Sequence, residues 1–115
     1  MSELQSFLGK EIYMVVDRPL GSTHPKHSDI VYPVNYGYIP DTVSGDGEEI
    51  DVYLLGVSVP VRDFAARVIA VIHRLNDTED KLVAAPIGTS FTKEEIKNLT
   101  HFQEQYFITE IIAEE

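Results

Sequence analysis

The sequence predicts a mainly β fold, namely a small, mostly antiparallel barrel flanked by a C-terminal helix. Three observations lead to this prediction. Several short segments are rich in β-branched and aromatic residues, turn-forming residues separate them, and one long helical pattern follows Thr92. The chain has 115 residues and shows no repeat or low-complexity linker. We therefore predict a single domain over residues 1–115.

The strands are predicted where β-branched and aromatic residues cluster between turn-forming residues. The first strand extends from Ile12 to Val16 and ends at Asp17-Arg18-Pro19, after which residues 20–28 form a loop. The next extended segment contains Pro33, so it lies at a sheet edge or is irregular. The predicted extended segments after the loop are residues 30–39, 50–55, 66–75 and 81–85.

The C-terminal helix is predicted from its capping residues and its periodicity. Thr92-Lys-Glu-Glu95 matches a capping box. The apolar residues that follow are spaced by three, three and four positions, which places them on one helix face. They are Ile96, Leu99, Phe102 and Tyr106. A short helix is also predicted at the N-terminus, where Ser2-Glu3-Leu4-Gln5 provides a cap.

The net charge of −10 restricts the partners of the chain. It argues against nucleic acid and against an anionic membrane surface, because both require clustered Lys and Arg. The absence of cysteine excludes disulfides and thiolate chemistry. Apolar runs are too short to span a bilayer and no basic leader is visible, so we expect a cytoplasmic protein. The apolar helix face and exposed apolar ends suggest self-association into a homo-oligomer.

The segment from Tyr32 to Asp51 concentrates the candidate chemistry. It ends in an acidic cluster, in which Gly47 allows a tight turn. Carboxylates at this density repel one another, and a hard divalent cation would neutralise them. A solvated acidic turn is the alternative interpretation. Strand parity places Asp51 on the opposite face from Glu48, so a shared metal requires a bend near Glu49. The cluster consists of Asp41, Asp46, Glu48, Glu49 and Asp51.

Tyr32, Tyr36 and Tyr38 have even spacing and lie on one face of an extended chain. Their rings could form a core wall, or their hydroxyl groups could donate hydrogen bonds to an oxyanion. A second acidic group follows in a predicted hairpin turn and could reach the first, although a polar turn also explains it. This group consists of Asp77, Glu79 and Asp80.

The loop before Tyr32 contains a basic cluster, Thr23-His24-Pro25-Lys26-His27. Lys26 could neutralise an anionic substrate, and the two histidines could act as hydrogen-bond donors or general acids near neutral pH. An exposed loop without a binding role is the alternative interpretation.

Two motifs together resemble the signature of the soluble family I inorganic pyrophosphatases. They are Tyr32-Pro-Val-Asn-Tyr-Gly-Tyr-Ile-Pro40 and Asp46-Gly-Glu-Glu-Ile-Asp51. The resemblance continues through Lys81-Leu-Val-Ala-Ala-Pro86 and His101-Phe-Gln-Glu-Gln-Tyr106, and it covers the chain from about Val16 to Phe107.

This resemblance implies that the fold is a five-stranded, OB-like barrel. It also implies that the protein hydrolyses pyrophosphate with several Mg²⁺ ions, or with Mn²⁺. It implies that Glu48, Asp51, Tyr36 and Lys81 are catalytic, with Glu48 helping to activate the attacking water. By the same resemblance, Lys26, His24 and Tyr106 bind substrate. The implied metal ligands are Asp46, Glu48, Asp51, Asp77 and Asp80.

The chain also departs from the family pattern. Glu48 stands where the family has Asp, Phe107 replaces a lysine, and an arginine expected upstream of Tyr32 has no counterpart. Two alternatives therefore remain open beside pyrophosphate hydrolysis. One is metal-dependent hydrolysis of another phosphoanhydride, and the other is a catalytically weak module that binds metal or phosphate.

Overall fold

A computed structural model describes residues 3–45 and 47–113. A 3-10 helix at Glu3–Phe7 precedes the first strand. The strands are β1 (Glu11–Arg18), β2 (Asn35–Ile39), β3 (Ile50–Leu54), β4 (Asp63–Arg74), β5 (Lys81–Ala85) and β6 (Thr109–Ala113), and helix α1 (Lys93–Glu104) lies between β5 and β6. None of the helices in these residues is long and apolar enough to cross a bilayer.

The strands form a closed barrel in the order β1-β2-β3-β5-β4, because β4 pairs with both β5 and β1. The predicted barrel with a flanking helix is thereby confirmed. Its pairings are antiparallel except that of β3 with β5, which run parallel with Val52 opposite Leu82. Strand β6 was not predicted; it lies outside the barrel and pairs with the C-terminal half of β4.

The apolar side chains form two layers. One layer fills the barrel and includes Met14, Val52 and Leu54, all fully buried. The other layer lies between the barrel and helix α1 and includes Tyr53 and Ile96, also fully buried. Because neighbouring residues of β3 enter different layers, both faces of this strand are buried.

Strand β4 supplies the barrel layer before a bulge and both layers from Ile69 onward. The register with β5 shifts between Val68 and Ala70, which places the extra residue Ile69 beside the helix layer. After the bulge, Val71 again points into the barrel and Ile72 toward the helix. The long apolar run in the sequence predicts the strand but contains no signal for this change of parity.

Helix α1 begins as predicted. The Thr92 hydroxyl accepts a hydrogen bond from the backbone N–H of Glu95, and the Glu95 carboxylate accepts one from the backbone N–H of Thr92. The predicted C-terminal end is wrong, because the helix ends at Glu104 and Tyr106 is 63% exposed beyond it. The buried helix face consists of Ile96, Thr100 and Glu104, and it therefore includes a carboxylate.

Asn35 is fully buried and joins β2 to two loops. Its side-chain oxygen accepts hydrogen bonds from the backbone N–H groups of Leu20 (2.9 Å) and Val61 (3.3 Å). Its amide nitrogen donates to the carbonyl oxygen of Val59 at 2.9 Å. A buried amide is tolerated because these partners satisfy it, and it holds the loop after β1 against the loop after β3.

Gly37 is required where β1 and β2 pair most closely. A Cβ atom at this position would lie 1.8 Å from the carbonyl oxygen of Val15. We expect Gly37→Ala to lower the free energy of unfolding by about 3 kcal/mol or more, measured by chemical denaturation. Gly88→Ala is the control, because its Cβ meets no atom within 4 Å and only its φ of +88° is strained. The free energy of unfolding of the control should fall by about 1–2 kcal/mol. Equal decreases in the two variants would contradict the prediction.

Candidate functional site

An acidic cavity of about 360 Å³ opens beside the start of strand β3. The chain reaches it through a turn in which the backbone N–H of Ser44 donates to the carbonyl oxygen of Glu48 at 2.7 Å. Gly47 has a φ of 85° in this turn, as a tight reversal requires. The bend expected near Glu49 is therefore present just before it. The cavity is lined by Asp17, Tyr38, Glu48, Glu49, Asp51 and Glu79.

The acidic turn packs directly against the hairpin that joins β4 to β5. A Cβ atom on Gly45 would lie 2.3 Å from the carbonyl oxygen of Thr78, so the two backbones touch at this point. This close approach brings the carboxylates of two distant segments to one cavity. The hairpin contributes Glu79, whose side chain is 15% exposed.

Asp51, Lys81 and Glu79 form the centre of the site. The parallel pairing of β3 with β5 sets Val52 opposite Leu82, so Asp51 and Lys81, which precede them, lie side by side. Lys81 Nζ donates hydrogen bonds to Asp51 Oδ2 and to Glu79 Oε1, both at 2.5 Å. The Tyr36 hydroxyl donates to the same Asp51 oxygen at 2.9 Å. The Lys81 side chain is only 5% exposed, so a buried ammonium group lies between two carboxylates.

The protonation states follow from these contacts. Burial alone would raise the pKa of Asp51, but hydrogen bonding with Glu79 and the charge and hydrogen bond of Lys81 lower it below its usual value. Burial raises the pKa of Tyr36 well above its usual value, and the charge of Asp51 acts in the same direction. Tyr36 therefore keeps its proton and remains a hydrogen-bond donor at neutral pH.

A larger space, which we call the main cleft, has a volume of about 720 Å³. Asp51 and Glu79 line both this cleft and the acidic cavity. The rest of its wall combines cations with aromatic and polar side chains. It is formed by Arg18, His24, His27, Asp29, Ile30, Tyr36, Arg74, Lys81, Gln103, Tyr106 and Phe107.

A chain of buried hydrogen bonds runs beneath the main cleft and connects the barrel to helix α1. The Tyr32 hydroxyl donates to Gln103 Oε1 (2.9 Å), and Gln103 Nε2 donates to the Tyr53 hydroxyl (2.7 Å). Tyr53 in turn donates to Glu104 Oε2 (2.6 Å), and Glu104 pairs with Arg74 through two hydrogen bonds of 2.6 and 2.9 Å. Burial would lower the pKa of Arg74, but the hydrogen bonds and charge of Glu104 raise it above its usual range.

The structure brings together four side chains that the resemblance places in catalytic roles. Asp51, Lys81 and Tyr36 are in direct contact, and Glu48 lines the adjoining acidic cavity. Tyr106 and His24 both line the main cleft, where they were predicted to bind substrate. Lys26, predicted beside them, is exposed and lies outside the walls of both spaces.

The predicted metal ligands of the hairpin, Asp77 and Asp80, line neither the acidic cavity nor the main cleft. Asp77 accepts a hydrogen bond from Arg74 Nη1 at 3.1 Å. Asp80 lies 3.0 Å from His73 Nδ1 and accepts a hydrogen bond from the backbone N–H of Arg74 at 3.0 Å. Neither carboxylate lines the acidic cavity, because the hairpin turns Glu79 toward it instead. The metal-binding roles assigned to Asp77 and Asp80 stay predictions, and Asp46 lies outside the described residues.

Sequence reasoning assigned no role to Arg18, Arg74, Gln103 or Glu104. Two of these residues had a detectable signal. Glu104 follows Ile96 and Thr100 at intervals of four, which marks it as part of the buried helix face. Arg74 ends a long apolar strand, where a cation needs a partner. The position of Arg18 and Gln103 in the cleft wall depends on the packing of distant segments and has no sequence signal.

The residues of the acidic cavity fit a hard divalent cation such as Mg²⁺, because their donors are carboxylate oxygens. Burial raises the pKa of Asp17, and the charges of Asp51 and Glu49 add to this effect although Arg18 opposes it. Burial is thus the main cause of this shift in pKa, and the neighbouring carboxylates make a smaller contribution in the same direction. Within residues 3–45 and 47–113, no group of three or more His, Asp or Glu side chains forms a site that could hold a metal ion as the side chains stand. The carboxylates that would contribute to one are Glu48, Asp51 and Glu79.

The chain is similar to known proteins over most of its length. The model of a family described as inorganic pyrophosphatase matches residues 10–113. A curated inorganic pyrophosphatase of Saccharolobus solfataricus is 35% identical over 113 aligned positions, which cover 84% of this chain and 62% of the relative. Soluble inorganic pyrophosphatase 2 of Chlamydomonas reinhardtii is 40% identical over 62 positions, which cover 50% of this chain and 32% of the relative. The chain thus spans less than two thirds of the length of these curated relatives.

Solved structures show the same fold. The inorganic pyrophosphatase of Neisseria gonorrhoeae matches with a TM-score of 0.66 and 26% identity, over 85% of this chain and 74% of that one. The inorganic pyrophosphatase of Ehrlichia chaffeensis matches with a TM-score of 0.69 and 23% identity, over 90% of this chain and 85% of that one.

The buried pair of Arg74 and Glu104 gives a stability prediction. Glu104→Leu leaves the Arg74 guanidinium buried without its carboxylate, so the free energy of unfolding should fall by about 3–5 kcal/mol. The double variant Arg74→Met/Glu104→Leu removes both charges and should recover more than half of this loss. Chemical denaturation of the two variants and the wild type measures both values. A double variant less stable than Glu104→Leu would contradict the prediction.

Proposed function

Because the chain belongs to the inorganic pyrophosphatase family, we propose that it hydrolyses inorganic pyrophosphate to two phosphate ions with the help of Mg²⁺. The observation that carries this proposal is the group of Asp51, Glu79, Lys81 and Tyr36 between the acidic cavity and the main cleft. It combines carboxylates for a cation with hydrogen-bond donors for an oxyanion. Such a combination suits a highly charged phosphate substrate.

The negative charge of the protein makes a cation necessary for this substrate. A chain with a net charge of −10 repels pyrophosphate unless positive charge is concentrated at the site. Glu48, Asp51 and Glu79 would hold Mg²⁺ through their oxygen atoms. Bound Mg²⁺ would polarise phosphoryl oxygens and make a water molecule more acidic.

Tyr36 and Lys81 would act on the phosphate groups. Tyr36 keeps its proton because burial raises its pKa, so its hydroxyl can donate a hydrogen bond to a phosphoryl oxygen. Lys81 is poised to neutralise charge that develops on the leaving phosphate. Because the ammonium group is 5% exposed, water screens it weakly and its effect on a nearby oxyanion is large.

Glu48 is the candidate base for the attacking water. It lies in the wall of the acidic cavity, at the turn that delivers Asp51 to the site. In the reaction, the water oxygen bonds to one phosphorus, the bridging P–O bond breaks, and Glu48 takes the proton of the water. The longer Glu side chain has more conformational freedom than Asp, so its position depends on the packing of the turn against the hairpin.

A second candidate function is hydrolysis of a larger phosphoanhydride, and the aromatic rim of the main cleft favours it. The His24 ring stacks on Tyr32 with an interplanar angle of 9°, and Tyr106 and Phe107 line the same cleft. Such rings could hold a base or sugar attached to the phosphates. A panel of pyrophosphate, nucleotides and nucleotide sugars in one phosphate-release assay decides between the two functions.

Removal of the Asp51 charge provides the main test. The purified protein should release phosphate from pyrophosphate with Mg²⁺ or Mn²⁺, and Asp51→Asn should lower kcat about 100-fold or more. Asp63→Asn is the matched control, because Asp63 is exposed, contacts Tyr13 and lines neither the main cleft nor the acidic cavity. No phosphate release by the wild type, with calorimetric binding of Mg²⁺ or phosphate, would instead support a catalytically weak binding module.

A second pair of variants distinguishes the roles of the hairpin carboxylates Glu79 and Asp80 in metal binding. Glu79→Gln should weaken Mg²⁺ binding about tenfold or more, because Glu79 lines the cavity beside Asp51. Asp80→Asn should change Mg²⁺ binding less than twofold, about the scatter of such measurements, because its oxygens contact His73 and the Arg74 backbone. Calorimetric titration with Mg²⁺ measures both. The reverse ranking would show that Asp80 turns toward the metal and Glu79 does not.

A further inference from the structure

We infer that Arg18 binds a phosphate group of the substrate, on the wall of the main cleft that is not shared with the acidic cavity. This inference rests on the proposed function and adds a residue to its site. Arg18 ends strand β1 and lines the main cleft, whereas its neighbour Asp17 lines the acidic cavity. Consecutive residues of a strand point to opposite sides, so β1 presents a carboxylate to one space and a guanidinium to the other.

The position of Arg18 is set by buried groups. Its Nη1 donates a hydrogen bond of 2.6 Å to the hydroxyl of Tyr32, a residue that is fully buried. The same hydroxyl donates to Gln103 of helix α1, which holds it in place. The guanidinium carbon lies 5.8 Å from the centroid of the Tyr32 ring and 5.6 Å from that of Tyr36. A guanidinium held in this way loses little conformational entropy when it binds an anion.

Half-buried Arg18 has hydrogen-bonding capacity that the buried Arg74 lacks. All three guanidinium nitrogens of Arg74 donate to Glu104 or Asp77. In the described contacts of Arg18, Nη1 donates to Tyr32, while a guanidinium has five N–H donors in total. The remaining donors border the cleft and match the paired oxygens of a phosphate group.

Arg18 and Lys81 are arranged around one ring. Lys81 Nζ lies 5.7 Å from the centroid of Tyr36, and the Arg18 guanidinium carbon lies 5.6 Å from it. Lys81 is engaged by the carboxylates Asp51 and Glu79. A substrate with two phosphate groups would therefore place one phosphate beside Lys81 and its two carboxylates and the other phosphate beside Arg18.

Arg18 supplies most of the positive charge on its wall. Burial lowers the pKa of His24, and the charge of Arg18 lowers it further, so the imidazole is mainly neutral at pH 7. Lys26 is exposed outside the cleft, and Asp29 on the same wall offsets part of the charge. The loss of Arg18 would therefore remove the principal attraction for an anion at this position.

Direct binding of inorganic phosphate and of methylenediphosphonate, both with Mg²⁺, tests the inference without turnover. Arg18→Met should weaken binding of the diphosphonate about 10- to 100-fold by calorimetry, because a charged hydrogen-bond donor is lost. Arg18→Lys keeps the positive charge but lacks the paired N–H donors of the guanidinium. This variant should fold normally and show an intermediate loss of affinity for the diphosphonate. Arg62→Met is the control, since Arg62 is an exposed arginine outside the cleft. The affinity of this variant for the diphosphonate should stay within twofold of that of the wild type.

In the phosphate-release assay, Arg18→Met should raise KM for pyrophosphate by a similar factor. If Arg18→Lys, folded as judged by circular dichroism, and Arg18→Met both bind the diphosphonate as tightly as Arg62→Met, the inference is overturned. The result that would overturn this inference differs from the result that would overturn the proposed function. If the wild type binds diphosphonate in an Arg18-dependent way but releases no phosphate, the anion site stands and the hydrolytic function falls.

Discussion

The buried ion pair of Arg74 and Glu104 is the interaction on which the arrangement of the cleft depends. The two side chains are 5% and 6% exposed, and charges so deeply buried are tolerated only when they are paired and hydrogen-bonded. The end of strand β4 and the last turn of helix α1 must therefore stay in contact while the protein is folded. Tyr53 and Gln103 extend this contact across the barrel wall. Phe107 covers the Arg74 guanidinium with its ring, 3.7 Å away, so the segment after the helix closes one side of the main cleft.

A second constraint concerns the concentration of negative charge. The parallel pairing of β3 with β5 and the contact of Gly45 with Thr78 bring carboxylates from separate segments to one place. Lys81 neutralises part of this charge but is shared between two carboxylates. The excess charge would favour a divalent cation, as the proposed function requires, and the cation would in turn make the site compatible with a phosphate substrate. The fold thus places repulsive groups together, at a cost that its ligands would offset.

The acidic cavity and the far wall of the main cleft carry side chains of opposite charge. Carboxylates of the acidic cavity would bind cations, and Arg18, on the far wall of the main cleft, would bind an anion. Asp51 belongs to both spaces, and Tyr36 donates its hydrogen bond to Asp51 at the boundary. This division explains how a strongly acidic chain can offer a site to a multiply charged anion. Under the inference drawn above, Arg18 would also compensate for the lysine and the arginine that the family pattern leads us to expect and that this chain lacks.

Local sequence patterns were sufficient for the five barrel strands, for the start of helix α1 and for part of the site. The capping box at Thr92, the apolar segments and the acidic cluster before Asp51 depend on neighbours within a few residues, so their structure could be predicted from the chain alone. The resemblance of the central motifs likewise identified Asp51, Tyr36 and Lys81, which lie in contact. Side-chain direction could not be predicted in the same way. The bulge at Ile69, the turn of Glu79 rather than Asp80 toward the cavity, and the entry of Arg18 into the cleft wall depend on contacts between segments distant in sequence. Such contacts are set by close packing and by the pairing of buried charges, and these exist only after the barrel has closed and helix α1 has packed against it.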